Sequence, residues 1–122
     1  MMIFVGTDIV EVSRIRKIID SKGDRFLSHI YDKIEVEYCS ARVNPALHYA
    51  GRFSAKEAVK KALLSSGLFD YILLKDIVIT RDISGVPSVI FPRDISEKGS
   101  VNVSISHTDN YATATAIFQL KY

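Results

Sequence analysis

The 122 residues are 48% hydrophobic and 25% charged, with 16 basic side chains against 14 acidic ones and a net charge of +2, which predicts one compact domain. That near-balance excludes the dense basic patch of a nucleic-acid binder, and no apolar run at the N-terminus is long enough for a signal peptide or a membrane span. The single cysteine, Cys39, excludes an intrachain disulfide framework and a thiolate metal cluster and points to a reduced, cytoplasmic compartment.

In chain order, MIFVG (residues 2–6) reads as a short β-strand ended by Gly6. From Val12 the pattern turns helical, with Ile15, Ile18, Ile19, Phe26, Leu27 and Ile30 at helical spacings and Gly23 as an interruption or kink. DKIE (Asp32 to Glu35) has the form of a capping box that opens another short helix. Asn44–Pro45 marks a turn, and a longer helix follows it to Ser65–Gly67. Beyond that point KDIVITR, SGVPSVIF, VNVSIS and YATATAIFQL read as strands, and HTDN between the last two has hairpin chemistry. Helices gathered early and strands gathered late predict an α+β fold with a mainly antiparallel sheet.

Three clusters carry candidate chemistry. In GTDIVEVSR, Asp8 stands where strand gives way to helix. It is either a helix N-cap or Asx-turn residue or an oxygen ligand at a metal or phosphate site. Arg14 and Arg25 share a face if the helix runs through Gly23; they are either a grip on an acidic helix of a partner or a solvated face. In GRFSAKEAVKKAL (residues 51–63), Arg52, Lys56 and Lys60 form one basic stripe, read as solvated. Glu57 and Lys61 fall on a different stripe, shared with Ala50, Phe53 and Leu64. As an i, i+4 pair with Glu first they are well oriented, although a surface pair of this kind stabilises by only about 0.2–0.5 kcal/mol. The alternative is a site in which Glu57 is a hard oxygen ligand and Lys61 a phosphate partner. Magnesium suits such carboxylates, and no His/Cys spacing suggests zinc. In SISH, Ser104 and Ser106 share one strand face and His107 closes the strand, as a plain surface strand or as a ligand-binding strand end. No G-x-S-x-G elbow supports a serine nucleophile. Cys39 reads as an inert, half-buried residue.

Taken together and in this order, GTDIVEVSRI, AGRFSAKEAVKKAL, SGVPSV and SISHTDNYA resemble the holo-acyl-carrier-protein synthases, the small 4'-phosphopantetheinyl transferases, over nearly the whole chain. The resemblance implies a single 4'-phosphopantetheinyl transferase domain over residues 1–122. It implies transfer of 4'-phosphopantetheine from coenzyme A to a serine of apo acyl carrier protein, with release of adenosine 3',5'-bisphosphate, in support of fatty acid biosynthesis. Asp8 and Glu57 would be the magnesium ligands. Lys61 would contact the phosphate and donate a proton to the leaving group, and Asp8, or a water it orients, would be the general base. Coenzyme A would lie along Lys61, Ser65 and Gly67, with Arg52, the turn from Gly85 to Pro87, Ser106 and His107 around its nucleotide. Arg14 and Arg25 would face the acidic recognition helix of the carrier protein. The resemblance also implies a cytoplasmic homotrimer with active sites in the subunit clefts, each completed by His107 or Arg52 of a neighbour. One departure stands out: where the family has a Gly-x-Gly turn after this helix, the chain has Ser65 and Gly67.

Overall fold

The computed structural model describes residues 2–121. Strand β1 (Ile3–Glu11) runs directly into helix α1 (Val12–Lys22), followed by α2 (Asp24–Ile30), α3 (Lys33–Ser40) and the long α4 (Pro45–Ser65). A 3-10 turn at Leu74–Asp76 leads to β2 (Val78–Arg81) and β3 (Pro87–Ile90), then to the single-turn α5 (Arg93–Ser96), β4 (Gly99–His107) and β5 (Tyr111–Leu120). The strands form two antiparallel sheets, β1-β5-β4 and β2-β3. The expected α+β class therefore holds, with the N-terminal strand added at the edge of the late sheet.

Helix α4 lies across one face of the three-stranded sheet. Its Ala55, Ala58, Val59, Ala62 and Leu63 pack with Ala114, Ala116 and Phe118 of β5. On its other side, Val12, Ile15, Leu27, Tyr31, Cys39, Tyr49 and Ala50 fill a second core among the four helices. Small residues on both surfaces let helix and sheet approach closely, and Gly6 marks the tightest point. β1 continues through Gly6 rather than ending there, pairing it with Ala116, and the alternation Phe4, Gly6, Asp8, Val10 keeps facing α4. A Cβ on Gly6 would run into the Ala58 carbonyl oxygen and lie 2.7 Å from Ala62 N. Glycine is thus required as a spacer here, not as a strand terminator. Gly6→Ala is expected to destabilise the fold by on the order of 3 kcal/mol through forced separation of β1 and α4. Urea denaturation checks this; an unchanged midpoint would contradict the packing.

Gly23, at φ 51 and ψ −130, ends α1, its N–H still bonded to the Ile19 carbonyl at 2.7 Å. α1 and α2 are separate helices, broken at Gly23 as expected, so the condition for Arg14 and Arg25 to share one helical face is not met. The capping box of α3 forms as expected: Asp32 Oδ2 accepts the Ile34 N–H at 3.0 Å, and Glu35 Oε1 accepts the Asp32 N–H at 2.9 Å. Thr108 Oγ1 accepts the N–H groups of Asn110 and Tyr111 in the predicted hairpin. The Asn110 carbonyl in turn receives the Val12 N–H at 2.8 Å and ties the hairpin to the start of α1.

Cys39 is fully buried rather than half-buried, and burial pushes its thiol up from 9.0 to about 11. A folded-state value above the unfolded one means a contribution to stability that is complete below about pH 9 and lost as pH rises toward 11. Denaturation at about pH 8 and about pH 10.5 should show a loss of up to about 2 kcal/mol. Cys39→Ala should reduce that loss, leaving the part due to the buried Tyr31 hydroxyl, which burial also pushes upward. A pH slope unchanged by Cys39→Ala would contradict this assignment.

Candidate active site

Asp8 lies in the middle of β1, not beyond its end, and on the face turned to α4. The N-cap and Asx-turn readings are thereby excluded, since α1 begins only at Val12 with Glu11 at its N-cap. Two hydroxyls, Ser54 Oγ at 3.0 Å and Thr113 Oγ1 at 2.9 Å, donate to the Asp8 backbone carbonyl. Lys61 Nζ donates to the Thr7 carbonyl at 2.9 Å and to Asp8 Oδ1 at 3.2 Å. The second carboxylate oxygen, Asp8 Oδ2, is buried and has no hydrogen-bond partner. An acceptor left in that condition costs roughly 1–3 kcal/mol, more when charged, and the cost is relieved by a cation or a donor brought by a ligand.

Glu57 sits on α4 three residues after Ser54 and four before Lys61, so the helix period puts it on the stripe that carries both contacts to Asp8. Of the two readings of Glu57 and Lys61, the i, i+4 ion pair does not form. Lys61 turns instead to β1, where the Asp8 carboxylate and the Thr7 carbonyl offer it two acceptors at once. Glu57 takes part in no ion pair among the described residues. With the Lys61 side chain 53% exposed, its pair with Asp8 is worth less than about 1 kcal/mol and is readily exchanged for a bound phosphate. Thr7, Asp8, Ile9, Lys61 and Thr113 line an open cleft at this edge of the sheet.

The donor set fits magnesium. No three His, Cys, Asp or Glu side chains gather into a closed metal cage among the described residues. Magnesium needs none, because it takes one or two carboxylates and fills the rest of its shell with substrate oxygens and water. Asp8 Oδ2, without a partner in the chain, is the oxygen such an ion would use first.

The other expected residues divide into groups. Ser65, at the end of α4, donates its hydroxyl to the Lys61 carbonyl at 2.6 Å, and Gly67 follows in the turn beyond. Neither is among the residues that line the Asp8–Lys61 cleft. Gly85 forms the turn between β2 and β3, its carbonyl held by Arg81 Nη1 at 2.7 Å, and Pro87 opens β3; this turn belongs to the other sheet. Ser106 and His107 end β4 opposite Thr113 and Ala112, both exposed. Arg14 on α1 and Arg25 on α2 are exposed as well.

The stripe expected to be solvated is not. Arg52 is 3% exposed and Lys56 is sealed completely, while Lys60 is half-buried. α4 has neighbours on both sides, the sheet on one and α1, α3 and the 3-10 turn on the other, so no wide face is left to water. Lys56 Nζ pairs with Glu35 Oε1 at 2.6 Å and donates to the carbonyls of Leu74, at 3.1 Å, and Ile77. The Arg52 guanidinium lies 4.0 Å from the Tyr38 ring centroid. Sequence reasoning missed Tyr38, Ser54 and Thr113, and gave Glu35 its capping-box role but not its pairing with Lys56. The only available signal was Glu35 and Tyr38 at i, i+3 on α3, one charged and one aromatic residue on a single stripe.

The model of the 4'-phosphopantetheinyl transferase superfamily matches residues 4–116, and the chain belongs to that superfamily. Within it, the chain is similar to the holo-[acyl-carrier-protein] synthase of Chlamydia pneumoniae, 43% identical over 119 residues that cover 95% of this chain and 96% of the relative. Solved structures agree. A holo-(acyl-carrier-protein) synthase from Bacillus anthracis in complex with CoA (3',5'-ADP) is 30% identical with a TM-score of 0.83, covering 99% of this chain and 100% of that one. The Helicobacter pylori holo-[acyl-carrier-protein] synthase in complex with coenzyme A is 28% identical with a TM-score of 0.82, covering 94% and 99%. The fold and the enzyme class implied by the four motifs are those of the family.

Proposed function

We propose that this protein transfers 4'-phosphopantetheine from coenzyme A to a serine hydroxyl of an apo acyl carrier protein and releases adenosine 3',5'-bisphosphate, as a magnesium-dependent holo-[acyl-carrier-protein] synthase. The observation that carries this reading is Asp8, with one oxygen 3.2 Å from Lys61 and the other buried without a partner, in a chain so similar to enzymes of that name.

The serine oxygen forms a bond to the phosphorus that bears the pantetheine. The bond from that phosphorus to the bridging oxygen breaks, and its electron pair leaves with the adenosine nucleotide. Asp8, or a water it orients, takes the serine proton, and Lys61 donates to the departing oxygen. Asp8 and Glu57 would hold magnesium, which supplies charge neutralisation on the pyrophosphate. Coenzyme A would run from the Asp8–Lys61 cleft past Ser65 and Gly67, and its nucleotide would meet Arg52, the turn from Gly85 to Pro87, Ser106 and His107. Arg14 and Arg25 offer separate exposed cations to the acidic helix of the carrier protein.

The assembly belongs to the same reading. The sheet face turned away from α4 exposes Ile3, Val5, Ile9, Tyr111 and Ile117, more apolar surface than a small monomer leaves open without reason. A homotrimer of single-domain chains would cover it and bring His107 or Arg52 to a neighbour's coenzyme A. No helix among the described residues is long and apolar enough to cross a membrane, and we place the enzyme in the cytoplasm, in fatty acid biosynthesis. Intact mass spectrometry of an apo carrier protein incubated with coenzyme A, magnesium and this protein tests the function. A gain of one phosphopantetheine group is expected. No gain across several carrier proteins, with magnesium or manganese, would overturn it.

A further inference from the structure

Two hydroxyls from elements far apart in the chain meet on one carbonyl of β1. Ser54 Oγ of α4 donates to the Asp8 carbonyl at 3.0 Å, and Thr113 Oγ1 of β5 donates to it at 2.9 Å. Asp8 is 46 residues from the first and 105 from the second. β1 is an edge strand, paired only with β5 among the described residues, so α4 has to supply the rest of its support. Gly6 fixes how near β1 lies to α4, and the Ser54 hydroxyl fixes where along the helix Asp8 stands. Lys61 makes a second tie, to the Thr7 carbonyl and Asp8 Oδ1. Its side chain is 53% exposed, and that tie is exchangeable. Ser54 is fully buried, and neither hydroxyl carries a charge that a phosphate would draw away.

Ser54 precedes Glu57 by about one turn of α4. A bond from Ser54 to the Asp8 backbone therefore sets Asp8 against Glu57, the two carboxylates offered to magnesium. We propose that Ser54 and Thr113 are positioning residues whose shared grip on the Asp8 carbonyl fixes the spacing of those carboxylates and selects magnesium over calcium. Both act through Asp8. Spacing matters because magnesium demands near-ideal octahedral geometry with ligands at about 2.0–2.1 Å, whereas calcium accepts about 2.3–2.6 Å in flexible arrangements. A strand free to shift by a few tenths of an ångström thus loses the smaller ion first. Asp8 Oδ2, buried without a partner, is held in place before the ion arrives, as outer supports do for metal ligands in general. The inference rests on the reading of the chain as a magnesium-dependent transferase.

Calorimetric titration of magnesium, and separately of calcium, into the full-length protein saturated with coenzyme A tests it. No carrier protein is present, so the readout is binding without turnover. The double variant Ser54→Ala, Thr113→Val should raise the Kd for magnesium about tenfold and the Kd for calcium less than about twofold. Each single variant should show part of the magnesium loss, because the other hydroxyl still holds the carbonyl. Thr113→Ser keeps the donor and should bind magnesium as the wild type does. Thr113 is exposed, so its variants put folding at no risk. An equal rise for both ions, or an unchanged Kd for magnesium, would overturn the grip. Wild-type protein that binds no magnesium would refute the magnesium-dependent function and the grip with it, whereas a double variant that matches a magnesium-binding wild type refutes the grip alone.

Discussion

Glu57→Gln is expected to lower magnesium-dependent turnover about 100- to 1000-fold while leaving the melting temperature within a few degrees of wild type. The magnitude is that of removing one group that stabilises charge in a transition state. The substitution keeps the shape of the side chain and removes its charge, which a divalent ion needs far more than the local structure does. Structurally the change is mild because Glu57 is half-buried and takes part in no ion pair among the described residues. Lys61 keeps both of its acceptors on β1, the Thr7 carbonyl and Asp8 Oδ1. Turnover at saturating magnesium and coenzyme A, beside a thermal melt, checks the outcome. A lowered melting temperature with near-normal turnover would make Glu57 a structural residue and remove it from the site.

The largest loss of stability should come from Lys56→Met. Lys56 and Glu35 are both fully buried, and each uses its polar atoms completely. The ammonium meets Glu35 Oε1 and the carbonyls of Leu74 and Ile77; the carboxylate meets the backbone N–H groups of Asp32 and Ile79 at 2.9 and 3.1 Å. The pair thus joins α4 to the start of α3, to the 3-10 turn and to β2. Burial pulls the Lys56 ammonium below the usual lysine range, and the adjacent Glu35 carboxylate pushes it part of the way back. Methionine matches the length of the stem but strands a carboxylate and two carbonyls in the core, at a cost of about 3–5 kcal/mol. Replacing both partners, Lys56→Met with Glu35→Leu, should recover part of that loss. Recovery stays incomplete because Glu35 also serves the capping box of α3. Urea denaturation of the three variants measures this, and a single-variant loss below about 1 kcal/mol would contradict it.

Local features were legible and long-range ones were not. The capping box at Asp32, the end of α4 near Ser65 and the hairpin at Thr108 each depend on neighbours a few residues away, and each forms as expected. Helix periodicity sorted Arg52, Lys56 and Lys60 from Glu57 and Lys61, but a period defines stripes without saying what lies against them. With α4 enclosed on both sides, a basic stripe became an interior one. Gly6 looked like a strand end because glycine usually punctuates, yet here it makes room for a helix backbone that arrives from more than fifty residues away. Asp8 shows both sides of this. The motif marked it as chemically important, but only the pairing of β1 with β5 put its carboxylate on the face toward α4. The partner of Lys61 followed from that, 53 residues distant rather than one helical turn.

The most direct test of the central claim is a stoichiometry. Purified protein, magnesium, coenzyme A and an apo carrier protein are combined, and adenosine 3',5'-bisphosphate is counted against the serines modified, with the carrier's serine-to-alanine variant as control. Group transfer at the Asp8–Lys61 cleft predicts one nucleotide released for each serine modified and none with the control carrier. Nucleotide released without carrier modification, or coenzyme A bound with neither product formed, would contradict it.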